Sequence, residues 1–140
     1  GDFADTVVRN LLLAVWFRLQ WQALAASTDA ELAAIAGKAL KESRYHEEHA
    51  AAWVIRLGDG TEASHAKAQA AVNRAWAYTA EMFVDDETDA YAQAQSLGPA
   101  RSPLREAWQA CVQGVLEAAT LVPRLRWELG RPRYARRRDD

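Results

Sequence analysis

Apolar residues recur along this chain at steps of three and four, the spacing of helices that bury one face. Val7, Val8, Leu11, Leu12, Val15, Leu19 and Leu24 form such a stripe on a first predicted helix, capped by Asp2 or Asp5 and running to about Ala25. Its middle, Leu11 to Phe17, is apolar all round, which predicts cover on more than one side by a bundle or a partner. Ser27-Thr28-Asp29 breaks the pattern, and Thr28 with Glu31 reads as a capping box. A second helix follows from Asp29 to Leu57, and the short connection predicts antiparallel packing on the first.

The second helix carries the unusual stripe. Leu32, Ile35, Ala39, Glu42, His46, His49, Trp53 and Arg56 share one face, apolar near both ends and ionisable in the middle. Gly58 is expected as a left-handed cap before the turn Gly58-Asp59-Gly60, and Thr61 caps a third helix running to about Val84. Its stripe of His65, Gln69, Val72, Trp76, Thr79 and Phe83 should return along the second helix. Asp85-Asp86-Glu87 ends it, Asp89 to Leu97 is at best a short helix, and Gly98-Pro99 breaks the chain. Ser102-Pro103 starts a fourth helix with the stripe Leu104, Trp108, Cys111, Val115, Ala118, Val122 and Leu125, ended or kinked by Pro123.

Composition narrows this to an all-α, antiparallel helical bundle. A chain of 140 residues, half of them apolar, is one domain's worth with a real core. Its six tryptophans lie mostly in helical stretches, where such rings fill helix interfaces. Cys111 is the lone cysteine, which excludes an intramolecular disulfide and a cysteine-based metal site and fits a cytoplasmic protein. The longest apolar run has seven residues, too short to span a membrane, and no signal-peptide pattern precedes it. Charge divides the chain. Seven arginines against three acids give residues 124–140 a charge of +4 and leave −6 on residues 1–123. The natural division is therefore a helical domain over 1–123 and a basic tail over 124–140. No nucleic-acid-binding module frames that tail, so it reads as solvated or docked on its own domain, a basic binding module being the alternative.

Ionisable groups on an inward face must pair, shift their pKa or coordinate something, because unpaired burial costs several kcal/mol, on the order of ordinary transfer penalties. One reading is an inner hydrogen-bonded cluster in which Glu42, Arg44, Tyr45, His46 and His49 satisfy one another or a partner chain. The other is a metal-dependent oxidase using Glu42, His46, His49 and Glu81. A di-iron bundle needs Glu-x-x-His pairs on two helices and a further Glu from each of the others. Here Glu42 and His46 stand four apart, and the first helix has no acid between Thr6 and Ser27. The inner cluster is therefore the better reading, with no catalytic or metal-binding residue assigned. Glu47 and Glu48 fall off the stripe and read as solvated. Ser43 near His46, and Ser64 beside His65, are not framed as a hydrolase site.

The stretches GDFADTVVRNLLLAVW, KESRYHEEH, IRLGDGTEASH, AVNRAWAYTAEMFVDDE and LREAWQACVQGVLEAATLVP resemble the PaaC family over about residues 1–123. These are the non-catalytic, ferritin-like subunits of bacterial phenylacetyl-CoA epoxidase complexes. The resemblance implies a ferritin-like bundle that holds no metal of its own. It also implies a PaaA-like di-iron catalytic partner, which carries the iron and epoxidises the aromatic ring, and hence a homo- or hetero-oligomer. Family members are longer, with about two helices before the position matching Gly1. Without them, the apolar faces of the first two helices would be open to a partner or another copy.

Overall fold

The computed structural model describes residues 2–79 and 104–123; the segment around Glu81, the Ser102-Pro103 start and the basic tail lie outside them. Four helices are described, α1 (Phe3–Leu24), α2 (Ala30–Gly58), α3 (Glu62–Trp76) and α4 (Arg105–Ala118), with no strand among the described residues. The expected all-α, ferritin-like bundle is what forms.

Local sequence explains the helix ends. Asp2 caps α1 in a reciprocal box with Asp5, the two backbone N–H groups donating across 2.9 and 3.2 Å. Asp29 caps α2 by accepting from the N–H groups of Glu31 and Leu32, so the expected Thr28 box is not the device used. Thr61 caps α3 as expected, its hydroxyl accepting from Ser64 N–H.

The core is the α1 stripe pressed between the other three helices. Val7, Val8, Leu11, Leu12, Val15 and Leu19 are all buried, and α1 packs most extensively on α2. From α3 come Ala68, Ala71, Val72 and Trp76, and from α4 Trp108, Val112 and Leu116. Trp76 and Trp108 stack with ring centroids 5.4 Å apart, and the indole N–H of Trp108 donates to the Leu12 carbonyl over 3.0 Å. α3 also leans on the first turns of α1, where the Arg74 guanidinium meets Asp5 at 2.6 Å. That bond holds the Asp5 carboxyl below the usual carboxylate range.

A depressed folded-state pKa gives stability that is present above the unfolded value and lost as pH falls through the folded one. Arg74 is more than half exposed, so solvent screening keeps the pair's contribution below about 1 kcal/mol. In thermal melts, Arg74→Gln should cost little at neutral pH, and its gap from the parent should close below about pH 4. An unchanging gap down to acid would show that Arg74 acts by packing alone.

The fourth stripe slips by one position. Val112, Leu116 and Ala119 are buried, whereas Ala118 and Val122 are exposed. The helix ends at Ala118, before Pro123, in a left-handed turn at Thr120 (φ 60°). Leu121 N–H donates to Leu116 O and Thr120 N–H to Glu117 O, and buried Leu116 and Leu121 provide the apolar contact usual in such a stop. The side-chain amide of Gln69 then grips the backbone of Val122 on both sides, at 2.6 and 3.0 Å, leading the chain back over α3.

Candidate functional site

On α2 the face that turns inward is Ala36, Leu40, Ser43, Glu47, Ala50 and Val54, a stripe one position away from the expected one. The consequence for the expected inner cluster is direct. Glu42, Arg44, Tyr45, His46 and His49 are not in the core, and Glu42, Tyr45 and His46 are plainly in solvent. His46 Nε2 stands 3.4 Å from Glu42 Oε1, with the two side chains 61% and 78% accessible. Tyr45 stacks on His49 at 6.1 Å and meets His46 edge-on at 5.9 Å. These residues do lie near one another, but on the outside of this chain and not within its core. Three members of the alternative metal set are thus on the surface, and Glu81 lies outside the described residues. Among the described residues no group of three His, Cys, Asp or Glu side chains is placed to hold a metal ion.

The charged residue that α2 does turn inward is Glu47, which falls off the expected stripe and on that ground should have been solvated. Its carboxylate accepts from Arg18 Nε at 2.8 Å and from Arg18 Nη2 at 3.3 Å, each side chain only 18% accessible. From α4, the Cys111 thiol donates to Glu47 Oε2 over 3.4 Å and receives Arg18 Nη2 at the same distance. α1, α2 and α4 therefore meet at one ionic knot. Hydrogen bonding to Glu47 raises the Arg18 pKa, and burial together with the neighbouring carboxylate pushes the Cys111 thiol up, so the sulfur stays a protonated donor. The signal was legible: Arg18 is the sole charge between Arg9 and Asp29, and a lone charge in an apolar helix needs a counter-ion.

Glu47→Gln leaves the guanidinium half-buried beside a neutral amide. The expected cost is roughly 1–2 kcal/mol, between the values for exposed and fully buried pairs. With the carboxylate gone and Arg18 still present, the Cys111 pKa should also fall. Urea unfolding and the pH dependence of iodoacetamide labelling report the two effects. Unchanged thiol titration would mean that Glu47 does not sense the sulfur.

A second feature lies between α1 and α2. Leu13, Phe17 and Trp21 from α1 face Ser43, His46, His49 and Trp53 from α2 across an open groove of about 500 Å³. Leu13 and Phe17 remain 38% and 45% exposed, so the all-round apolar middle of α1 is only partly covered. Phe3 packs edge-on against Trp53 at 5.3 Å beside one end of the groove.

At the far end of α2 is the junction formed by IRLGDGTEASH. Gly58 is buried against Ala119, just past the end of α4, and the Gly58 carbonyl accepts from His65 Nδ1 at 2.8 Å and lies 3.2 Å from the Thr120 hydroxyl. Ser64 Oγ donates to Leu57 O over 2.7 Å. The motif thus clasps the end of α2, the start of α3 and the stop of α4.

The pattern of the phenylacetic acid catabolic protein family matches residues 1–136. The chain belongs to that family. A curated member from Escherichia coli (strain K12), the C subunit of 1,2-phenylacetyl-CoA epoxidase, is 41% identical over 124 residues. The match covers 88% of this chain and 50% of the E. coli protein, so the chain spans about half the length of that relative. In this chain KESRYHEEH supplies the inward Glu47 together with the outward Glu42, Tyr45, His46 and His49, and IRLGDGTEASH supplies the clasp. No described helix is long and apolar enough to cross a membrane.

Proposed function

We propose that this chain is a structural, non-catalytic part of a multicomponent phenylacetyl-CoA monooxygenase that epoxidises the aromatic ring in phenylacetate catabolism. Its partner would be a PaaA-like di-iron protein, which would hold the iron and perform the oxygen chemistry in the cytoplasm. The family match and the likeness to a protein named as an epoxidase component support the substrate class. The observation that carries the non-catalytic reading is the Arg18–Glu47–Cys111 knot. The charge that α1 sends between α2 and α4 is a guanidinium, which repels a metal cation, and the carboxylate there is already held by it. The described residues do not fit an iron pair, so no oxygen-activating step is assigned to them.

Native mass spectrometry of the chain alone and mixed with a PaaA-like protein, with metal measured on the same samples, tests this. The expected result is a defined mixed complex in which the chain itself carries no stoichiometric iron. A chain that loads an iron pair and ignores the partner would overturn the proposal and return attention to Glu42, His46, His49 and Glu81.

A further inference from the structure

We draw no further inference here: the strongest candidate, the open pocket where α2 turns into α3, lined by Asp59, Thr61, Glu62, His65 and Thr120, carries nothing because it rests on two exposed acids beside a capped helix N-terminus and nothing in the structure shows what it would receive.

Discussion

Trp108→Ala should destabilise the chain by about 3–5 kcal/mol, the range for removing a large buried ring from a well-packed site. Trp108 is fully buried, stacks on Trp76 of α3 and donates its indole N–H to the Leu12 carbonyl of α1. One side chain therefore joins three helices, and its loss opens a cavity where α4 crosses α1. For a domain whose whole stability is roughly 5–15 kcal/mol, that change consumes a large part of the margin. Trp108→Phe should cost distinctly less, because a ring still fills most of the space and the Leu12 carbonyl loses only the indole donor. Urea unfolding gives the energies, and near-ultraviolet circular dichroism follows the stacked indole pair. A loss below about 1 kcal/mol for Trp108→Ala would mean that α4 can settle on α1 without this ring, contrary to the packing described.

The α1 helix was legible because its apolar residues are large and its polar ones few. Val7, Val8, Leu11, Leu12, Val15 and Leu19 allow one phase only, and the structure buries all six. On α2 the same reasoning fails for a physical reason. Large residues such as Ile35, His46 and Trp53 set the expected stripe, yet the side chains that α2 buries are those of Ala36, Ala50 and Val54. Small side chains let two helices come near, and the larger ones then flank the contact and wall the groove. A seven-residue frame in an alanine-rich helix fits both phases almost equally, and weighting by hydrophobicity selected the flank.

The same slip explains Glu47 and the fourth helix. A phase moved by one position turns Glu47 from solvent toward Arg18, and on α4 it exchanges Ala118 for Ala119. The ionic knot was recoverable from the other side, because Arg18 alone interrupts an otherwise uncharged stretch of α1. What a single sequence could not supply was which of the acids on α2 would answer it. That depends on the rotation of α2 about its own axis, which long-range packing fixes.

Gly58→Ala should destabilise by about 1–3 kcal/mol, and the sign is the informative part. Gly58 is the last residue of α2 and has no positive φ, so the left-handed cap expected from the sequence is not why glycine stands there. An ordinary helical glycine would gain up to about 1 kcal/mol from alanine. At Gly58, however, a new Cβ would collide with the Ala119 carbonyl oxygen and come within 2.9 Å of the Ala119 Cβ. Neither is the far end of a flexible side chain, so α4 must back away, straining the contacts of His65 and Thr120 with the Gly58 carbonyl. The left-handed position of this junction is Thr120, a β-branched residue at φ 60°, where an L side chain is unfavourable by roughly 1–2 kcal/mol. Thr120→Gly relieves that strain and forfeits the hydroxyl contact, so it should be neutral or stabilising by up to about 1 kcal/mol. Thermal melts of the two variants separate the causes. Stabilisation by Gly58→Ala would show that α2 and α4 do not meet as closely as described, whereas opposite signs for the two substitutions would locate the demand for a missing Cβ at Gly58 and the backbone strain at Thr120.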